Sequence, residues 1–367
     1  MSTVRIGVLT SGGDAQGMNA AVRAVVRTAL ARGAQPYAIY EGWQGACMGG
    51  DSIKRMEWSD VSSILAEGGT VIGTARSADF RTYEGRHRAA ANLLEHGIDH
   101  LVVIGGDGSL SGTNEFRGEW AQHVAELAAE GIISPETAAA HPALIIVGIV
   151  GSIDNDMVGT DMTIGADTAL HRILDAIDQL TSTAASHQRT FVVEVMGRHC
   201  GYLPLMAAVA GGADYVFTPE DPAGPGWQDD LAEHLRLGRE AGRRESIVLV
   251  AEGAYDRDGN ELSTQLIADT IQERTGEDAR VTILGHVQRG GAPSAYDRWM
   301  STLLGYAAVQ EILESTAEDA PVILGVRRNR ITRIPLMKAV HDTRAVKDLI
   351  AAGDYAAAQA SRGSSFS

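Results

Sequence analysis

The sequence predicts an α/β protein built on mainly parallel sheets. Two observations carry this. Short apolar, β-type runs alternate with longer stretches of helical periodicity, the pattern of strands joined by crossover helices. Turns rich in glycine and aspartate recur where the apolar runs stop, and open α/β sheets bind their ligands at the carboxyl ends of their strands. The 367 residues suffice for one large domain or two modest ones.

Taken in order, a strand is predicted over 4–9, followed by the turn LTSGGDAQGMN (9–19) and a helix over 18–32. A second strand, 101–104, runs into VVIGGDGSL (102–110), with helical spacing after Ser109. Residues 115–142 form a polar, alanine-rich insertion, expected to be helical and on the surface. The strand over 143–150 stops abruptly at GSIDND, and a helix is predicted over 164–183. Strands over 190–195, 215–218, 247–251 and 281–284 follow, with helices over 264–274, 295–313 and 336–352. DPAGPGW (221–227) reads as a loop rather than a linker.

Composition narrows the class. Hydrophobic residues make up 44% and charged residues 21%, as in ordinary globular proteins. No apolar run reaches the roughly 18 residues that span a bilayer. MSTVRIGVLT enters a strand pattern at once, without the layout of a signal peptide. Cys47 and Cys200 make neither a disulfide framework nor a cysteine zinc set. The expectation is a cytoplasmic protein with no membrane partner. A net charge of −16 argues against nucleic acid as a partner. Only Lys54, Lys338 and Lys347 are lysines, so any phosphate must be met by arginine forks and backbone N–H groups.

The strand ends carry the candidate chemistry. Gly12, Gly13 and Gly17 let backbone approach a ligand ahead of a helix N-terminus, or simply make a tight turn. Asp107 stands among glycines that suit phosphate oxygens. It either holds a metal that phosphates share or caps the next helix. Asp154 and Asp156 flank Asn155. They suit a shared metal, a general base or a hydrogen-bonded turn. Arg189, Arg198, Arg280 and Arg289 adjoin strands, as does His286. One arginine is usually a solvated charge, whereas several at strand ends suit an anion site. Together these features point to phosphoryl transfer.

The motifs SGGDAQGMNAAVR, GTAR, IGGDGS, GSIDND, SHQR, EVMGRHCG, VAEG and LGHVQRGG occur in the order of one family. The chain resembles the ATP-dependent 6-phosphofructokinases over nearly its whole length. VGSIDND, HCGY, PSAYDR and RIPLM bring it nearer to one half of the double-length eukaryotic enzymes than to the short bacterial form.

The resemblance implies two Rossmann-like domains with the active site in the cleft between them. An ATP-binding domain would take 1–165 plus about 287–330, and a sugar-phosphate domain 166–286 plus about 331–367. It implies that fructose 6-phosphate is phosphorylated by Mg-ATP. Asp154 would be the base, in a catalytic set with Arg76 and Arg198. Gly13, Arg76, Ser77, Gly106, Asp107, Gly108 and Ser109 would hold ATP, and Asp107 and Asp156 the Mg. Ser152, Ile153, Met196, Gly197, Arg198 and Glu252 would line the sugar, and Arg189, Arg280, His286 and Arg289 would take its 6-phosphate. Arg189 and Arg280 would reach in from a neighbouring subunit of a homotetramer. Pyrophosphate-dependent relatives carry Asp and Lys where this chain has Gly108 and Gly151. Arg23, Arg27, Asp214 and Arg243 match the bacterial effector site, but Thr181, Ala241 and Glu245 depart from it.

Overall fold

The computed structural model of the chain describes residues 3–363 and 366. In chain order its strands are β1 (Arg5–Ser11), β2 (Gln35–Ile39), β3 (Ile53–Arg55), β4 (His100–Gly105), β5 (Ile145–Val150), β6 (Thr190–Val195), β7 (Tyr215–Phe217), β8 (Ser246–Ala251), β9 (Ala279–Ile283), β10 (Val322–Arg327) and β11 (Arg330–Pro335). The described chain divides into two compact units. The first holds the residues up to Ser152, Gly159–Gly165 and Gly291–Thr343. The second holds Ile153–Val158, Ala166–Gly290 and the residues from Arg344 onward.

The first unit contains a seven-stranded sheet in the order β11-β10-β5-β4-β1-β2-β3. Its inner strands are parallel, while β3 and β11 lie antiparallel at the two edges. The parallel strands are apolar along their length: Ile6, Val8 and Leu9 of β1 and Leu101–Ile104 of β4 are fully buried, as a sheet covered on both faces demands. Strand order reverses between β1 and β4, which makes their carboxyl ends the switch point of the sheet.

Several elements are absent from the sequence reading. β2 carries Pro36, which argues against a strand, and β3 has only three residues. β10 and β11 form a hairpin through Arg328 and Asn329, at φ 50° and 59°. Two left-handed residues suit the twist of a two-residue hairpin, but Arg-Asn lacks the usual glycine signal. This hairpin also moves the expected boundary. Because β11 extends the first sheet, the chain leaves the first unit after Thr343 rather than near 330. Residues 153–158 belong to the second unit instead of the first.

The insertion differs from expectation too. The helix Asp107–Ala129 runs through most of it, and Phe116, Trp120, His123, Val124 and Leu127 are buried. Their spacing makes one apolar helical stripe, so only the opposite face is surface. Phe116 meets Trp43, Phe80 and Trp120 edge-on.

The second unit contains a four-stranded, all-parallel sheet in the order β7-β8-β6-β9. Val192, Val248 and Val250 pack on Trp227, Leu231 and Leu235 of the helix Trp227–Glu240. Below this core lies a buried ion pair. Arg362, on the helix Tyr355–Arg362, donates from Nε to Glu220 Oε1 at 2.9 Å. Its Nη1 donates to the Asp156 carbonyl at 2.5 Å and its Nη2 to the His199 carbonyl at 2.8 Å. Glu220 Oε2 accepts from the Gly201 N–H at 2.8 Å. The two side chains are 5% and 0% exposed. Burial pushes the Glu220 carboxyl up, against the pull of Arg362. One guanidinium therefore joins the short helix Tyr355–Arg362 to two loops that carry candidate site residues.

Removing one member of such a pair leaves a buried charge unmatched. Arg362→Ala is expected to cost about 3–5 kcal/mol of stability, and Arg362→Ala/Glu220→Gln less than the single change. Denaturant unfolding of both variants checks this. Stability equal to the parent chain in Arg362→Ala would mean that the pair holds nothing in place.

Candidate active site

In the first unit, the candidate donor residues gather at the β1/β4 switch point. β1 ends at Ser11, and Gly12 follows with φ 92°, a backbone region that side chains disfavour. Ser109 Oγ donates to Ser11 Oγ at 2.8 Å, tying the two turns together. Thr74 donates to the Gly12 carbonyl at 2.9 Å, and Thr10 to the Gly73 carbonyl at 2.8 Å. The segment that leads to Arg76 and Ser77 is thereby held against the end of β1. Ser77 Oγ accepts from the Phe80 N–H at 3.1 Å, and Arg76 is exposed.

Asp107 does not cap its helix. Gly106 occupies the N-cap position without a side-chain bond, and Asp107 lies in the first turn. The first N–H groups of an α-helix lack partners within it and attract anions. An acid there is favoured by the helix dipole, and its oxygens are the ligand type that Mg takes. Gly108 is exposed, and a Cβ added to it would meet nothing within 4 Å. Gly151 is different: its Cβ would lie 2.8 Å from Met18 Cε and 3.2 Å from Ile104 Cγ2. A side chain at 151 would therefore have to displace the end of Met18 and press on Ile104, a packing cost beside the donor choice that the sequence suggests. Ser152 is held by its N–H to the Ile164 carbonyl at 3.2 Å, and its own carbonyl accepts from Thr163.

In the second unit, the acceptor candidates collect beyond the carboxyl ends of β6, β8 and β9. Met196, Gly197 and Arg198 follow β6, Glu252 follows β8, and His286 and Arg289 follow β9. Gln288, fully buried, joins two of these loops. It accepts from the Met196 N–H at 3.2 Å and donates to the Gly285 carbonyl at 2.9 Å. In the sequence, a neutral glutamine between His286 and Arg289 carries no mark of this role. Gly197 has φ 144°, and a Cβ there would come within 2.3 Å of the Cys200 carbonyl oxygen. Arg198 holds φ 52°, a costly conformation for arginine, and its N–H faces Glu252 Oε2 at 3.4 Å.

Asp154 is the electrostatic centre of this set. It is 4% exposed, whereas Ile153 is wholly buried and Asp156 half-buried. Between the two acids Asn155 adopts φ 52°, a conformation that asparagine tolerates. Burial, and then the neighbouring Asp156, raise the Asp154 carboxyl from 3.8 to about 6. Arg289 and Arg198 oppose that rise, and Glu252 adds to it. Arg289 Nη2 lies 3.9 Å from Asp154 Oδ1. A carboxyl balanced near neutrality by burial and paired charges is typical of a functional acid or base.

The structure separates two of the arginines from this group. Arg189 immediately precedes β6, and Arg280 sits near the start of β9, opposite Phe191 of β6. Arg189 Nε and Arg280 Nη2 both donate to Asp278 Oδ2, at 2.8 and 3.0 Å. They share the amino ends of the strands, while Met196–Arg198 and His286–Arg289 share the carboxyl ends. The six residues of β6 put roughly 20 Å between the two ends. Within one chain the arginines form two sets rather than one anion site.

A sequence model described as phosphofructokinase matches residues 5–312. The human liver-type ATP-dependent 6-phosphofructokinase is 53% identical over 361 residues, 98% of this chain and 46% of the human one. ATP-dependent 6-phosphofructokinase 1 of Aspergillus oryzae is 53% identical over 347 residues, 94% of this chain and 44% of its own. The solved structure of phosphofructokinase from Saccharomyces cerevisiae superposes with a TM-score of 0.97 at 51% identity, covering 99% of this chain and 49% of that one. The chain thus spans about half the length of these relatives. With the family match running from β1 through the helix Ala295–Glu314, the chain belongs to the phosphofructokinase family.

Proposed function

We propose that the chain transfers the γ-phosphoryl group of ATP to the 1-hydroxyl of fructose 6-phosphate. The observation that carries this reading is Asp154, a buried carboxyl held near pH 6 beside Arg289 and Arg198. Ionised, it accepts the proton of the sugar hydroxyl. The freed oxygen forms its bond to the γ-phosphorus in line as the bond to the β,γ-bridging oxygen breaks, and ADP leaves with the electron pair. Arg76 and Arg198 would offset the charge on the transferring group. Gly13, Ser77, Gly106, Gly108 and Ser109 offer backbone or hydroxyl contacts to the donor. Ser152, Ile153, Met196, Gly197 and Glu252 line the sugar, and His286 and Arg289 take part of its 6-phosphate. Asp107 and Asp156 would hold Mg, which when bound neutralises charge on the donor phosphates.

Asp154→Asn keeps the size and loses the base. It is expected to lower kcat by about 10²–10⁴-fold with little change in substrate affinity. In the parent chain kcat/KM should fall below about pH 6, as Asp154 takes up a proton. The residual rate of the variant should lack that limb. The sign for stability is opposite. The folded chain holds this proton more tightly than the unfolded chain does, so stability drops as pH rises from about 4 to about 6 and stays lowered above. Asp154→Asn should therefore stabilise the chain at pH 7, by up to roughly 3 kcal/mol. Near-normal turnover, or a variant that keeps the acid limb, would remove Asp154 from the role of base.

ATP as donor rests on Gly108. Its open surroundings leave room for a nucleotide, and an Asp there would set a carboxylate where α-phosphate charge passes. Gly108→Asp is expected to fold normally and to impair ATP use by at least about tenfold, while changing fructose 6-phosphate binding less. Steady-state kinetics with ATP and with pyrophosphate check both halves. Parent turnover on pyrophosphate that rivals ATP would overturn the donor assignment.

The opposite placement of Arg189 and Arg280 supports a homotetramer in which they complete a neighbour's 6-phosphate site. Edge strand β9 favours such an interface, since Ile283 and Val287 are 60% and 67% exposed. Arg280→Ala should weaken fructose 6-phosphate binding far more than ATP binding. Mixed oligomers of inactive Arg280→Ala and Asp154→Asn chains should regain activity. Verified hybrids that stay inactive would count against shared sites.

A further inference from the structure

We propose that His87, His123 and Glu126 bind one zinc-class divalent cation, which ties the helix Tyr83–Glu95 to the helix Asp107–Ala129 in the first unit. None of the three is among the residues assigned to donor or acceptor.

His123 Nε2 faces Glu119 Oε2 at 3.3 Å, and His87 Nε2 faces Glu130 Oε2 at 3.4 Å. Glu119 is ionised, because Arg86 donates to both of its oxygens, at 2.6 and 2.8 Å, and draws its carboxyl down. Ionised carboxylates only accept hydrogen bonds. His123 is therefore placed to carry its hydrogen on Nε2, and His87 is placed to do the same toward Glu130; a neutral ring so arranged presents a lone pair on Nδ1. The two Nδ1 atoms nevertheless stand 3.2 Å apart. Two lone pairs at hydrogen-bond distance repel unless a cation lies between them.

A third donor atom converges on the same point. Glu126 Oε2 is 3.6 Å from His87 Nδ1, and the three ligand atoms all lie within 4.8 Å of one another. Tyr83 fixes that oxygen by donating to it at 2.7 Å, and Gln122 fixes its partner Oε1 at 2.8 Å. Zinc bound tetrahedrally at ~2.0–2.1 Å spaces its ligand atoms by roughly 3.3 Å. The 3.2 and 3.6 Å separations match that edge length. Carboxylates behind both imidazoles supply the outer contacts that usually orient metal-bound histidines. Two imidazoles with one carboxylate select zinc-class ions over Mg. A water completes the fourth position, reached from the exposed side of Glu126.

The test uses the full chain, stripped with a chelator and free of nucleotide. It is titrated with Zn²⁺ by calorimetry and with Co²⁺ by visible absorption. One equivalent should bind, Co²⁺ should show the intense bands of tetrahedral coordination, and Tm should rise on metal addition. His87→Gln and Glu126→Gln alter partly exposed side chains and should fold as the parent does. Each should weaken binding by at least about tenfold and abolish the tetrahedral bands. No stoichiometric uptake by the parent would overturn the site and leave the histidine pair holding a proton instead. Parent-like binding in both variants would overturn it too, by placing the metal elsewhere, as on Cys47 or Cys200. So would a weak, octahedral Co²⁺ spectrum.

Discussion

The second unit depends on one buried cation. Arg362 spends its planar fork on Glu220 and on the carbonyls of Asp156 and His199. The helix that carries it would otherwise pack only Ala358 and its neighbours against the rest. Desolvating a guanidinium is costly, and the cost is offset because each of its three nitrogens finds an acceptor. The consequence is local rigidity where flexibility would be harmful. The loop with Asp154 and Asp156 and the loop with Gly197 and Arg198 share one anchor. Gln288 adds a neutral brace between the β6 and β9 ends.

That rigidity lets the unit hold an unfavourable charge. Asp154 is buried beside Asp156, and both facts oppose its ionisation. Arg289 and Arg198 restore enough of the ionised form for a base near neutral pH. The site therefore trades stability for reactivity at one carboxyl, and the left-handed backbone at Arg198 adds strain of the same kind. A chain free to relax would move these groups apart or admit water.

Much of this was legible in residues. The carboxyl ends of β1, β4, β6, β8 and β9 coincide with the glycine-, acid- and arginine-rich turns, because an apolar run stops where the chain must meet a polar ligand. Weak elements escaped notice. β3 is too short to have a period, and the β10–β11 turn uses Arg-Asn where glycine is the familiar sign. The helix Trp227–Glu240 was hidden behind a loop signal that ends at its own first residue. Arg362 and Gln288 carry no local mark at all, since their roles come from partners far along the chain.

The sequence by itself determined the parallel α/β class, the turns that hold donor and acceptor candidates, and the family to which those motifs point. These follow from local rules: periodicity, strand length and the chemistry of neighbouring residues. Only the tertiary structure decided that Arg189 and Arg280 lie at the opposite strand ends from Arg198 and Arg289. Only it decided that Gly151 lies against Met18 and Ile104, that the insertion has a buried face, and that His87 meets His123. The physical reason is the same in each case. Direction along a strand, burial and the meeting of lone pairs depend on which distant segments pack together, and no stretch of sequence contains that information alone.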